Sequence, residues 1–219
     1  SRVSRGLGDV YKRQVNNVVL RVESGSAMNP SISTVCSSGS CYGATSVIVK
    51  TCTTAANCAS VDSTGEIYIC ASVNIIDDAF KDCSSLTSVI FESGSQLTSI
   101  GSGAFRNTGL TTITIPASVT SIDSGAFHSC SSLTSVIFES GSQLTSIGSY
   151  AFYNSGLTTI TIPASVTSIG GAAFDSCGSL TSVAFETGSQ LTLIQGNAFR
   201  STGLTTINIP SSVTSIHSY

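Results

Sequence analysis

The sequence has no Trp, one Met and two His, and charged residues occupy only 10% of its 219 positions. Each scarcity excludes something. The two histidines, His128 and His217, leave little from which to build nucleophilic catalysis, which needs a base, an orienting acid and a defended cleft. Nine Lys and Arg against twelve Asp and Glu give a formal charge of -3, with no basic stripe of the kind a nucleic-acid surface uses. No apolar run approaches the roughly 20 residues of a membrane-spanning helix. The chain still has the means to fold, because Ile, Val, Leu and Phe are abundant and a disordered chain would be poorer in them. The remainder is largely Ser, Thr and Gly.

Four of the basic residues, Arg2, Arg5, Lys12 and Arg13, fall in the first fourteen positions. Residues 4–14, SRGLGDVYKRQ, resemble a translated sequencing-library adapter. The transposase mosaic-end codons gat gtg tat aag aga cag read Asp9 to Gln14, and tct cgt ggg ctc gga before them reads Ser4 to Gly8. Residues 1–14 are therefore expected to be non-native, disordered and outside the fold. Without these four basic residues and Asp9, five basic residues face eleven acidic ones. There is no initiator Met, and Ile216 to Tyr219 begin another repeat without its Ala-Phe. The expectation is a fragment of a longer array, with the natural N-terminus and any signal peptide missing.

What is present is periodic. Alignment on Ile-x-x-x-Ala-Phe yields six units, long ones from Ile75, Ile122 and Ile169 and short ones from Ile100, Ile147 and Ile194. Lengths alternate between 25 and 22, so the period is 47. Cys83 to Ser99 is identical to Cys130 to Ser146, and Gly109 to Ile122 to Gly156 to Ile169. A fixed period of this size marks an architecture that stacks equivalent units. Within a unit, Leu86-x-x-Val89-x-Phe91 and Leu110-x-x-Ile113-x-Ile115 end in the alternation of a strand with one buried face. Pro116, Pro163 and Pro210 should close the strand in short units, whereas Glu92 to Gln96 makes a wider turn in a long one. Ala104-Phe105 and its equivalents are expected to form tight helical turns that plant Phe in the core.

The recurrence of Ile147-Gly148, Ala151-Phe152 and Ser165-Val166-Thr167-Ser168-Ile169 in register resembles the BspA-like family of leucine-rich repeats. The resemblance covers residues 75–219 and departs from the family pattern in the short units, which carry Thr108, Ser155 and Thr202 near the family's Cys. It implies a β-rich leucine-rich-repeat solenoid, right-handed, with parallel strands stacked coil on coil. Many family members are surface or secreted proteins. Residues 15–74 read as two or three degenerate coils forming an N-terminal cap, with Cys70 of EIYICASVNI where a short unit would carry Pro.

Cysteine is the richest chemical signal. Cys83, Cys130 and Cys177 are two coils apart, hence about 9–10 Å at the strand-stacking distance, too far to bridge one another. They are expected to be small buried thiols. Cys36, Cys41, Cys52, Cys58 and Cys70 are irregularly spaced, and two disulfides with one thiol left over would suit an extracellular protein. An all-Cys zinc site is the alternative, although the spacings are wider than usual. His128 and His217 read as solvated surface residues, and Asp77, Asp78 and Asp82 as a solvated face beside Lys81. Glu92, Glu139 and Glu186 should line one edge as a weak acidic stripe.

The outward sheet face is the candidate binding surface. One column comprises Thr87, Thr111, Thr134, Thr158, Thr181 and Thr205; the next is Ser88, Thr112, Ser135, Thr159, Ser182 and Thr206. A third alternates Ile90, Thr114, Ile137, Thr161, Ala184 and Asn208. Such hydroxyl rows can stabilise the sheet itself or present a flat, neutral platform. The reading is a non-enzymatic module binding a protein or glycan, secreted or at a cell surface. It has no cofactor, no metal and no nucleic-acid partner. A structural spacer without its own ligand and an ice-binding surface are the alternatives.

Overall fold

The structure is a computed structural model that describes residues 13–15, 18–21, 48–51, 53 and 57–218. The chain divides into two units, Ser1–Cys52 and Thr53–Tyr219.

In the first unit, β1 (Arg13–Val15), β2 (Val18–Arg21) and β3 (Ile48–Thr51) form an antiparallel sheet. Stacked coils were expected here. Val15 pairs with Val18, and a two-residue connection joins only antiparallel strands, whereas a coil needs a dozen or more residues to return in parallel. Arg13 and Gln14, assigned to the disordered adapter segment, lie in β1. The expectation for residues 1–12 falls outside the described residues.

The second unit is a parallel β-solenoid of seven turns. Wide strands of four residues alternate with narrow strands of two. The wide set is β4 (Glu66–Ile69), β6 (Ser88–Phe91), β8 (Thr112–Ile115), β10 (Ser135–Phe138), β12 (Thr159–Ile162) and β14 (Ser182–Phe185). The narrow set is β5 (Ile75–Ile76), β7 (Ser99–Ile100), β9 (Ser121–Ile122), β11 (Ser146–Ile147), β13 (Ser168–Ile169), β15 (Leu193–Ile194) and β16 (Ser215–Ile216). The narrow strands form one continuous seven-stranded sheet, while the wide ones pair only as β4–β6, β8–β10 and β12–β14.

Stacking begins before residue 75. β4 pairs in parallel with β6, and Thr53 bridges Ile69. The first long unit is also one residue shorter than its Ile-x-x-x-Ala-Phe alignment suggests. Ile76, not Ile75, pairs with Ile100; Ile76 is 1% exposed and Ile75 61%. A one-residue slip in a strand exchanges the faces, so burial of the second isoleucine sets the register.

The core is the same in every coil. Leu86, Leu110, Leu133, Leu157 and Leu180 are fully buried, as are Phe80, Phe105, Phe127, Phe152 and Phe174. These five rings and half-buried Phe199 stack with centroids 5.1–5.4 Å apart and planes within 12° of parallel. The Ala-Phe segment is a set of i to i-3 turns rather than a helix. Ala104 N–H donates to Gly101 O and Arg106 N–H to Gly103 O, while Gly103 and Asn107 on either side adopt positive φ of 60° and 57°. Left-handed residues end helical propagation. They also turn alternate N–H groups along the solenoid axis: Gly103, Phe105 and Asn107 donate to Ser124, Ala126 and His128 of the next coil.

The alternation of 25 and 22 residues has a local origin. Short coils omit one residue after the Cys position, where Thr108-Gly109-Leu110 replaces Cys83-Ser84-Ser85-Leu86, and two in the turn beginning at Pro. The shortcut requires glycine, since a Cβ at Gly109 would sit 2.6 Å from Ser84 O.

Candidate functional site

The Ser/Thr face is where the sheet pattern places it. Thr87, Thr111, Thr134, Thr158, Thr181 and Thr205 are all exposed. Four of them are engaged with the sheet itself. Thr87 Oγ1 donates to Gly65 O at 3.2 Å, Thr134 to Thr111 O at 3.2 Å, Thr158 to Thr134 O at 3.4 Å and Thr181 to Thr158 O at 3.3 Å. The next two columns differ. Thr112, Thr114, Thr159, Thr161, Ser182 and Thr206 are exposed, Ser88 and Ser135 half-buried, and none of these hydroxyls bonds a protein group among the described residues. Ile137, 54% exposed, interrupts the third column.

A second hydroxyl ladder was not anticipated. Beside the narrow sheet, Thr120 donates to Thr98 O, Thr145 to Thr120 O, Thr167 to Thr145 O, Thr192 to Thr167 O and Thr214 to Thr192 O, at 2.9–3.2 Å. Its sequence signal was the Thr two residues before the narrow-strand Ile of every coil from Ile100 onward.

The three glutamates act within the frame. Glu92 Oε2 accepts from Ala71 N–H at 2.8 Å, Glu139 from Ala117 at 3.0 Å and Glu186 from Ala164 at 3.0 Å. Each carboxylate reaches back one coil to satisfy a turn amide, so the expected acidic stripe is a row of staples.

Cys83 is not the free thiol expected of it. It forms a disulfide with Cys58, with Cα atoms 5.7 Å apart and a sequence separation of 25. The separation equals one long coil, so Cys58 lies one step below Cys83, within disulfide reach. Cys58 therefore pairs outside the five cap cysteines. Cys70 is also disulfide-bonded, and neither is available to zinc. Cys36, Cys41 and Cys52 lie outside the described residues. Cys130 and Cys177 are free and buried. Burial raises both thiol pKa values, keeping the S–H protonated to donate to Phe105 O at 2.9 Å and Phe152 O at 3.0 Å. Thr108 and Ser155 occupy the Cys position in short coils and contact these sulfurs at 3.4 and 3.2 Å.

The Ala-Phe turn face carries the remaining chemistry. Lys81, Arg106, His128, Tyr153, Asp175 and Arg200 occupy one repeat position, directly after Phe. Lys and Arg thus do share a column, hidden in the sequence because its members are 22 or 25 residues apart. His128 is half-buried rather than solvated. It stacks on Tyr153 at 4.8 Å, and Tyr150 meets Tyr153 edge-on at 5.8 Å. Partial burial, then the neighbouring Arg106, holds the imidazole pKa below its usual value. Its Nδ1 lies 2.9 Å from Ser129 Oγ. Asp175, 1% exposed, is held by Arg200 at 2.6 Å. His217 is exposed. Among the described residues, no three His, Cys, Asp or Glu converge on a metal-sized site, and no helix is long and apolar enough to cross a membrane.

A family model described as the BspA type leucine rich repeat region matches six copies, over residues 53–181 and 98–219. No curated protein matches. Among solved structures, the chain is similar to the pneumococcal vaccine antigen PcpA, at 21% identity and a TM-score of 0.48, over 97% of this chain and 47% of that one. It is similar also to a leucine-rich cell surface protein from Faecalibacterium prausnitzii, at 19% identity and a TM-score of 0.46, over 96% and 73% of the two chains. The chain spans about half the length of the pneumococcal protein.

Proposed function

Because the chain belongs to the BspA-type leucine-rich-repeat family, we propose that it is a non-enzymatic module binding a protein or glycan, in a secreted or cell-surface protein. One observation carries the reading. Rows of exposed Thr hydroxyls, Thr112 with Thr159 and Thr114 with Thr161, have no internal partner, although four threonines of the neighbouring Thr87 column are tied into the frame. A regular, uncharged row of donors and acceptors suits extended ligands with many hydroxyl or amide groups, and solenoids present such surfaces along their length. The Cys58–Cys83 disulfide supports an oxidising compartment.

The test is a protein and glycan array screen of the chain beside a Thr112→Val/Thr159→Val variant. Specific binding by the parent and its loss in the variant, at an unchanged unfolding midpoint, is the expected result. Equal binding by both would remove the sheet face from the proposal, and no specific binding by either would leave the spacer reading.

A further inference from the structure

Repeats this similar act as one another's controls. What differs between coils sharing Cys83–Ser99 with Cys130–Ser146 is not needed for stacking. Much of the difference gathers at two positions of the Ala-Phe turn. The residue before Ala is Asp78, Gly103, Gly125, Tyr150, Ala172 or Asn197, always with positive φ. The residue after Phe is Lys81, Arg106, His128, Tyr153, Asp175 or Arg200, and this column holds every Lys and Arg from Thr53 onward. A chain with so few cations has placed these three at one repeat position.

The backbone does not require the two glycines in the first column. Four other coils place Asp, Tyr, Ala or Asn there at φ between 46° and 59°. A Cβ at Gly125 would meet nothing nearer than the Cβ of His128, at 3.7 Å. Gly125, together with Gly103, where a Cβ would sit 2.6 Å from the Asp78 carboxylate, borders a hollow of about 400 Å³, lined also by Lys81, Arg106 and His128, with Asp78 and Tyr150 at the adjoining positions of the glycine column. Its volume falls in the range of small-ligand sites. Two groups in it lack full partners. Arg106 is exposed and makes no ion pair among the described residues, whereas Lys81 lies 3.9 Å from Asp78 and Arg200 is bound to Asp175. Tyr150 is 49% exposed and braced against Tyr153.

We infer that this hollow binds an acidic saccharide, with a sugar ring against Tyr150 and its carboxylate or sulfate on Arg106. A tyrosine ring offers rigid, amphipathic contact area to the C–H face of a pyranose at little entropic cost. A guanidinium presents forked donors that match a planar carboxylate or a sulfate edge. The backbone argues against an extended peptide. Asp78, Phe80, Asp82, Gly103, Phe105, Asn107, Gly125, Phe127 and Ser129 all donate their N–H groups to the next coil, so none is free for strand addition. This surface lies at the Ala-Phe turns, apart from the hydroxyl rows of the wide strands, and stands or falls independently of them.

Biolayer interferometry of the full chain against polygalacturonate, dextran sulfate, neutral dextran and polyglutamate tests it. Binding to one or both acidic polysaccharides is expected, and which of them binds distinguishes carboxylate from sulfate. Neutral dextran and polyglutamate should bind at least tenfold more weakly. Arg106→Gln, Tyr150→Ala and Gly125→Asn should each weaken binding at least tenfold. Asn already occupies the Gly125 position at Asn197, so that variant fills the hollow without a foreign backbone demand. Thr112→Val/Thr159→Val should leave this binding unchanged. The inference is overturned if no acidic polysaccharide binds, if dextran or polyglutamate binds equally, if the exposed-site variant Arg106→Gln binds like the parent, or if the threonine variant loses binding.

Discussion

The two sheets of the solenoid have opposite continuity to their strand lengths. The narrow strands contribute two residues each and still form an unbroken seven-stranded sheet, while the four-residue wide strands pair only two by two. The difference coincides with the residue that follows each wide strand. After β10, Glu139 N–H donates to Ile115 O, and after β14, Glu186 N–H donates to Ile162 O, both at 3.0 Å. On the alternate steps the equivalent residues are Pro116, Pro163 and Pro210, which have no N–H to offer. The narrow strands meet no proline, and Gly148, Gly170 and Gln195 donate to Ile122 O, Ile147 O and Ile169 O, each one coil back. At Cys70, where a short unit would carry Pro, the N–H donates to Thr53 O at 3.1 Å. Residues 206–209 form no strand for the same reason: Pro210 ends the step from β14, and no further long coil follows within the described residues. Continuity in a solenoid follows from hydrogen-bond donors at the coil junctions, not from strand length.

The comparison can be broken at several levels. The largest effect should come from the core both sheets share: Phe152→Ala should cost about 3–5 kcal/mol, read as a lowered urea midpoint. An unchanged midpoint would contradict the stacked spine. Next, Cys58→Ser opens the 25-residue loop closed on Cys83. By the loop-entropy argument it should lose about 3 kcal/mol under oxidising conditions, and reductant should bring the parent down toward the variant. Glu139→Ala removes the acceptor for Ala117 N–H beside Pro116 and should cost about 1 kcal/mol, with Glu139→Gln retaining most of it. Pro116→Ala restores the missing donor opposite Phe91. The gained hydrogen bond and the lost rigidity nearly cancel, so stability should shift by less than about 1 kcal/mol. The amide that this substitution introduces should nevertheless show hydrogen-exchange protection. A freely exchanging amide there would mean that proline is not what divides the wide sheet.

The smallest effect is electrostatic. The pKa of His128 is lowered in the folded chain by burial and Arg106, so the unfolded chain holds more protons in the window just below the ordinary histidine value. Stability from this site is fully present above pH about 6.5 and falls as pH drops through the folded pKa. His128→Gln should flatten that part of the pH profile, and an identical profile for both proteins would exclude the effect.

The repeat, its period and its inward residues were legible because each recurs with the same spacing. Leu86, Phe105 and Ile122 are buried for reasons their own coil states, since alternation and residue type decide which side faces inward. Glu139 and Cys83 were misread because their partners lie a coil away, 22 and 25 residues along the chain. Ile75 was misread because two isoleucines compete for one inward position, and only pairing with Ile100 chooses between them. The same holds for the column of Lys81, Arg106 and His128. Sequence alone determined that equivalent coils would stack around aliphatic and phenylalanine rows, because that demand is local and repeated. Tertiary structure alone decided which coils join, which hydroxyls remain free and which charges become neighbours, because hydrogen bonds and electrostatic contacts depend on distances of a few ångströms between coils, and stacking sets those distances.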